Sequence, residues 1–296
     1  MKSILIIGYG KWANKILFFL KKKKLFNKIY IKTRNEIFIL QNKNKKKIKV
    51  LPHYNNIDLI HVCSPLSTHF NYLKKFLNHR SLIIEKPFLR NLNEFSELKK
   101  ITNKKKNKII VNYIDLYNPI TDFLKKKIKY KFTKIIFEYS DPNFFFKKEY
   151  MCIEDWLEHP LSLTLFLFKK FGKFKVLKKI SVKKENKFLE KVEIEFTYKK
   201  TLVVIRINLQ NRKKRNIYFF KKKKLIFFAD LRKNKIIKNQ KNIMNKSSVN
   251  SIELLYKSGF STKRVFFQSL DFYKKVLRQR VNIMKSIKKF TNYNKF

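Results

Sequence analysis

Apolar positions change their spacing along the chain near residue 118. Before it, short continuous apolar runs alternate with helical periodicity. Ile4 to Ile7 reads as a buried parallel strand that feeds a helix from Lys11 to about Leu20. Lys28 to Lys32, Ile57 to Cys63, Leu82 to Ile84 and Lys108 to Val111 read as further strands. Ser64 to His69 opens a helix, and Asn91 to Lys100 is helical. Gln41 to Lys49 is polar and lysine-rich and reads as an exposed connection or a helix end. Strands that alternate with helices predict a parallel, doubly wound sheet.

Beyond Asn118-Pro119 the runs alternate or are β-branched and aromatic. They are Lys134 to Tyr139, Lys175 to Val182, Val192 to Tyr198, Leu202 to Asn208, Ile217 to Phe220 and Leu225 to Ala229. Consecutive strands of this kind predict a mostly antiparallel sheet with one covered face. Lys235 to Asn250 reads as a polar loop. Thr262 to Lys289 has helical spacing through Val265, Phe266, Leu270, Phe272, Tyr273, Val276 and Leu277. The fold class expected is α/β: a Rossmann domain over residues 1–117, then an α+β domain over 118–296.

Composition narrows the classes. In 296 residues, 44% are hydrophobic, enough apolar surface for a buried core. The longest greasy stretch, Leu161 to Phe168, stops at Lys169, well short of the roughly 18 residues of a membrane helix. The N-terminal apolar run ends in glycines without a small-residue cleavage site, which argues against a secretory signal. Cys63 and Cys152 make neither a disulfide framework nor a metal cluster. These points predict a cytoplasmic protein with no membrane partner and no metal.

The formal net charge of +52 suggests a polyanion partner, but its make-up points elsewhere. It comes from 62 Lys and only 10 Arg, whereas specific nucleic-acid readers favour arginine for its bidentate geometry. Ile, Asn, Phe and Tyr are enriched alongside Lys, as A/T-rich codons would produce. No specific nucleic-acid partner is expected, although weak attraction to polyanions at low salt is unavoidable.

Glycine carries the sharper signal. At the usual ~7% a chain this long would hold roughly 20; this one has four, and two stand together at Gly8 and Gly10. Gly8 would permit a tight turn after the first strand. Gly10 would let a pyrophosphate approach a helix N-terminus, and Ala13 is the small third position where helix and strand pack closely. Gly8-Tyr9-Gly10-Lys11-Trp12-Ala13 is thus the dinucleotide-binding pattern, with an ordinary strand–turn–helix as the bland alternative. After the second strand the ribose-binding acid is missing; Thr33-Arg34-Asn35-Glu36 stands there instead. Arg34 could clasp a 2′-phosphate, favouring NADP(H) and leaving NAD(H) open, or it is one more surface base.

Lys86 lies at the C-terminal edge of a parallel strand, where ligand-facing groups gather, between Glu85 and Pro87. An ammonium there can stabilise negative charge on a reacting oxygen, while Glu85 could orient the site. His159 is the one histidine of the second half, suited to proton transfer near neutral pH, and Asp155 precedes it by one helical turn. Pro160 implies that the helix either begins near His159 or is kinked there. The alternative is a buried, satisfied histidine or a capping pair.

The segments GYGKWA, VCSPLSTHF, IEKPF, VNYIDLYNP and EDWLEHPLSL, with a closing stretch from Lys263 to Tyr273, resemble the Gfo/Idh/MocA (glucose–fructose oxidoreductase/inositol dehydrogenase) family. The resemblance implies an NAD(P)-dependent oxidoreductase that moves hydride between nicotinamide and a sugar, cyclitol or sugar-nucleotide carbon. It implies the same role for Lys86, a proton donor or acceptor in His159, and a substrate or histidine partner in Asp155. It also puts Ser64, Pro65 and His69 beside the nicotinamide, and gives the second sheet to oligomer contacts, so a homo-oligomer is compatible. Met151-Cys-Ile and Leu157 stand where the family often has glycine. With the missing ribose acid, they keep open a catalytically inactive dinucleotide-binding or regulatory protein.

Overall fold

The computed structural model describes residues 2–41, 44–77, 79, 81–102, 108–128, 132–141, 152–184, 187–208, 212–246, 248, 250–260 and 268–289. Contacts divide the chain into two compact units: Met1–Asn112 with Leu255–Lys274, and Tyr113–Leu254 with Lys275–Phe296. The expected single cut at 117/118 thus becomes a boundary at 112/113, and a late segment returns to the first unit.

The first unit is built on β1 (Ser3–Ile7), β2 (Lys28–Lys32), β3 (Ile37–Gln41), β4 (Asn44–Ile48), β5 (Leu59–Val62), β6 (Ser81–Ile84) and β7 (Lys108–Val111). Their order is β4-β3-β2-β1-β5-β6-β7. Strands β2, β1, β5, β6 and β7 are mutually parallel, as the unbroken apolar runs predict. Every residue of β1, β5 and β6 is buried, which suits a sheet covered on both faces. Helices α1 (Lys11–Lys23), α2 (Leu66–Lys75) and α3 (Leu92–Thr102) connect the strands.

One expectation fails here. Gln41 to Lys49 is not a connection or a helix end: β3 and β4 form an antiparallel hairpin on the edge of the sheet. Lysines along an edge strand keep it from pairing with other chains, and that same lysine content makes the strand look like a loop.

The return segment carries α6 (Ser251–Phe260), a helix the periodicity did not reveal, and the start of α7 (Leu270–Lys289). It is fixed to the parallel sheet by specific contacts. Ser81 Oγ donates to Gly259 O at 2.6 Å, and Lys108 Nζ donates to Ser258 O at 2.7 Å. A Cβ on Gly259 would stand 3.4 Å from Leu59 Cδ1, so the helix backbone lies against β5. The expected helix from Thr262 is described only from Leu270; Val265 and Phe266 fall outside the described residues.

The second unit holds an eight-stranded sheet. Its strands are β8 (Lys134–Ser140), β9 (Lys173–Lys184), β10 (Lys187–Tyr198), β11 (Thr201–Asn208), β12 (Lys214–Lys221), β13 (Lys224–Asp230), β14 (Lys235–Lys238) and β15 (Lys241–Asn245). The order is β15-β14-β13-β12-β8-β11-β10-β9, antiparallel throughout except between β8 and β11. Val192, Ile194 and Phe196 of β10 are buried, while Glu193 pairs with Arg206 at 2.8 Å, so one face is covered and the other wet. The polar stretch from Lys235 contains the hairpin β14–β15 rather than a plain loop, again at a sheet edge. Helix α4 (Thr121–Lys127) and the apolar helix α5 (Cys152–Phe168) complete the unit, with α5 against β8, β10 and β11.

Candidate active site

Two groupings of the sequence-chosen residues emerge, one in each unit. In the first, β1 ends at a bend. Gly8 has φ +98°, and a Cβ there would lie 2.8 Å from Cys63 O and 2.9 Å from Ser64 N, so neither the backbone angle nor the space admits a side chain. At Gly10 the reverse holds: a Cβ would meet nothing within 4 Å, leaving open space above the backbone. Gly10 caps α1 with no side-chain cap, and the helix begins with the Asn14 N–H to Gly10 O bond. Ala13 is buried against the sheet. Such a bare, uncapped helix start is suited to an anionic group. Tyr9 is exposed, and Lys11 and Trp12 open the helix.

Beneath the bend, three donors converge on one oxygen of Glu85, which follows β6. Trp12 Nε1 donates to Glu85 Oε1 at 2.5 Å and Asn112 Nδ2 at 2.6 Å, while His61 Nε2 lies 3.0 Å away. Burial by itself would raise the Glu85 pKa, but the bonds from His61, Asn112 and Trp12 outweigh it and lower the value. Behind His61 stands Tyr256 of α6, its hydroxyl 2.6 Å from Nδ1. Glu85 therefore anchors the indole of the glycine bend.

Lys86, half-buried, follows directly, and its bond to Pro87 is cis. His69 of α2 is buried, with Nε2 2.9 Å from Ser64 O and Nδ1 3.0 Å from Pro87 O. Both ring nitrogens face carbonyl oxygens, so the neutral imidazole, lying between the Ser64-Pro65 and Lys86-Pro87 loops, donates its one N–H to one of them at a time. Ser64 Oγ lies 2.6 Å from Thr68 Oγ1. Arg34 is exposed at the β2–β3 turn.

His61, Cys63 and Glu85 could together hold a metal ion by distance. Their chemistry argues otherwise. Both ring nitrogens of His61 already face partners, and burial, with Glu85 adding to it, pushes the Cys63 thiol well above its ordinary value and keeps it protonated.

The second grouping surrounds His159. Helix α5 starts at Cys152, ahead of the histidine, and runs on through Pro160 to Phe168, so of the two alternatives that Pro160 left open a helix start near His159 is not the one adopted. Asp155 and His159 are both buried, one turn apart. A further carboxylate, which sequence reasoning did not single out, stands at the imidazole: Asp115 Oδ2 lies 3.3 Å from His159 Nδ1. Asp115 sits in the turn Ile114–Tyr117. Tyr139 of β8 donates its hydroxyl to Asp115 Oδ2 at 2.9 Å, and Arg215 Nη1 of β12 lies 3.1 Å from Oδ1.

Burial would raise the Asp115 pKa, yet Arg215 first and His159 next hold it well below the usual carboxylate range. Burial, helped by the Asp115 charge, drives the Tyr139 phenol far above its usual value, so it stays a donor. The Trp156 ring lies 5.6 Å from that of His159 and 5.2 Å from the Arg215 guanidinium carbon. On the same helix, Glu158 pairs with the fully buried Arg280 at 2.8 Å, and Glu154 lies 3.5 Å from Arg280 Nε. Asp115, Tyr139 and Arg215 come from three distant stretches, so no local motif announces them. Asp115 lies within the VNYIDLYNP segment, and Tyr139 ends a run that reads only as a strand.

Comparison with known proteins bears on the first grouping most directly. Residues 2–113 match the family model described as "Oxidoreductase family, NAD-binding Rossmann fold" (GFO_IDH_MocA). No curated protein matches the sequence. Among solved structures, the dehydrogenase MviM from Clostridium difficile is similar at a TM-score of 0.72 and 16% identity, covering 96% of this chain and 99% of that one. UDP-N-acetylglucosamine 3-dehydrogenase GnnA from Acidithiobacillus ferrooxidans aligns at 0.69 and 14%, covering 95% and 96%. GenD2 from gentamicin A biosynthesis, in complex with NAD, aligns at 0.70 and 9%, covering 95% and 92%. At such identities the likeness is one of fold. Among the described residues, no helix is long and apolar enough to cross a membrane.

Proposed function

We propose that this chain, whose residues 2–113 match the Gfo/Idh/MocA oxidoreductase model with its NAD-binding Rossmann fold, is an oxidoreductase of that family that transfers hydride between NAD(P) and a hydroxyl or ketone carbon of a sugar, cyclitol or sugar nucleotide. The observation that carries the reading is the bend at Gly8–Gly10: a forced glycine with its neighbour left uncovered at an uncapped helix start.

Gly8, Tyr9, Gly10, Lys11, Trp12 and Ala13 would hold the pyrophosphate of the cofactor, with Arg34 at the adenosine end. Ser64, Pro65 and Glu85 would stand along the nicotinamide half, their loops braced by His69. When bound, the nicotinamide supplies the hydride chemistry. Lys86 then acts on the reacting oxygen: its ammonium stabilises the negative charge that gathers there. His159 takes the hydroxyl proton in oxidation and returns it in reduction. A carboxylate at Nδ1 keeps the proton on that nitrogen and leaves Nε2 to exchange with substrate, so Asp115 positions the base. Asp155, one turn before, contacts a substrate hydroxyl or the imidazole. NADP(H) is favoured, the partner is a small sugar-like molecule in the cytoplasm, and neither nucleic acid nor membrane is required.

The relative that acts on UDP-N-acetylglucosamine by name makes nucleotide sugars the first panel to try. Reduction of NADP or NAD should be followed with that panel, alongside calorimetric titration of each cofactor. Lys86→Ala should abolish turnover and leave cofactor affinity within about threefold, since binding and charge stabilisation are separate tasks. Saturable cofactor binding by the unmodified protein without turnover on any sugar would replace this reading with the inactive, regulatory one.

A further inference from the structure

Strand β5 carries one polar side chain, His61, among apolar neighbours, and it is fully buried. Leu59 and His61 share one face of the strand. Helix α6 covers that face, with Gly259 against Leu59 and Tyr256, about one turn earlier, against the imidazole. Packing alone would be served there by another aliphatic residue. A buried polar group left unmatched costs about 1–3 kcal/mol, so the ring is explained by what it bonds to.

The bonds run in one direction. Burial, with Cys63 and Glu85 adding to it, drives the Tyr256 phenol far above its ordinary value, so the hydroxyl keeps its proton and donates to His61 Nδ1 at 2.6 Å. With Nδ1 accepting, the ring proton sits on Nε2 and is donated to Glu85 Oε1 at 3.0 Å. That oxygen also receives Asn112 Nδ2 and Trp12 Nε1, and Trp12 is the one donor that belongs to the glycine bend. It is the second residue of α1, so its backbone N–H is among those the uncapped helix start leaves unpaired. Such a donor grips an anion only while its direction is held, because hydrogen bonds weaken steeply with angle.

We propose that His61 and Tyr256 are positioning residues for the dinucleotide: a chain of hydrogen bonds from α6 through His61 and Glu85 fixes the Trp12 indole, and with it the helix start that meets the pyrophosphate. The proposal rests on the dinucleotide reading of the glycine bend and adds two residues to it. Both are buried, so they act through Trp12 and not by contact with the cofactor.

A double-mutant cycle of His61→Leu with Trp12→Phe, read by calorimetric titration of the full chain with NADP and NAD, tests the chain of bonds. His61→Leu should weaken the tighter-binding cofactor about tenfold, the scale of one lost charge-assisted hydrogen bond. In the Trp12→Phe protein the same replacement should have almost no further effect, because the indole through which it acts is gone. His61→Gln, whose amide still donates to Glu85, should recover most of the affinity. Tyr256→Phe should fall between the unmodified protein and His61→Leu, and it carries the same cycle if His61→Leu does not fold. A second readout needs no ligand. In a Trp156→Phe background Trp12 is the remaining tryptophan, and its emission should shift with His61→Leu and return with His61→Gln. Equal weakening with and without the indole, or an unmoved Trp12 emission, overturns the proposal and leaves the dinucleotide site standing. Failure of the unmodified protein to bind either cofactor overturns the dinucleotide reading itself.

Discussion

The glycine bend and the His159 cluster organise their surroundings by opposite means. The bend is made of backbone: Gly8 is forced by its φ and by Cys63 O, and Gly10 contributes emptiness. The cluster is made of side chains, with Asp115, Tyr139, Arg215 and His159 drawn from four elements into a buried polar knot. The first is written in consecutive residues, steadied from outside by Cys63 against Gly8 and by Glu85 at the Trp12 indole. The second depends on a folded sheet to assemble it, and each member relies on the others to satisfy its charge or hydrogen bond.

The strongest test of this contrast is to break the cluster electrostatically while keeping its shape. Asp115→Asn should reduce turnover by about two to four orders of magnitude, the usual scale for general acid–base catalysis, with cofactor affinity retained. It should also change acid stability in a defined sense. A carboxyl depressed in the folded protein stabilises it fully above the unfolded value near ~4, and that contribution is lost as pH falls toward the folded value. Denaturant titrations below about pH 4 should therefore show a shallower fall in stability for the variant than for the unmodified protein.

Arg280→Met probes the support of the same helix. It strands Glu158 in the interior without its cation, so urea unfolding should report a loss of about 3–5 kcal/mol at neutral pH. A loss below about 1 kcal/mol would mean that the pair is not what holds α5 in place. The smallest expected effects separate the two glycines. Gly8→Ala should lower stability by about 1–3 kcal/mol through strain at positive φ alone, more if Cys63 cannot move aside. Gly10→Ala, with nothing for its methyl to strike in the protein, should leave the melting temperature almost unchanged and weaken dinucleotide binding. Equal stability losses at the two positions would erase the distinction drawn between them.

The sequence exposed what is local and hid what is assembled. Four apolar residues and two glycines were enough to locate β1 and the bend, and Lys86 and His159 stood out by their place in short motifs. Asp115 was visible only as one letter of a longer segment, since nothing in a linear pattern says that residue 115 meets residues 139, 159 and 215. Arg215 lies in a cationic stretch where every neighbour looks like a surface residue. The outermost strands share one obstacle: β4 (Asn44–Ile48) and β15 (Lys241–Asn245) close the rims of their sheets, where lysine and asparagine replace the apolar alternation by which strands are recognised. Helix α6 escaped notice because ten residues give little periodicity to detect.

The Tyr256–His61 contact has a bearing on how the protein matures during synthesis. The segment that completes the nucleotide-binding unit, Leu255–Lys274, is translated long after that unit's seven strands. Until the ribosome has passed it, His61 lacks its phenol partner and Leu59 lacks the Gly259 backbone that covers it. The early-made half of the protein must wait, partly bare, for its last piece to leave the exit tunnel.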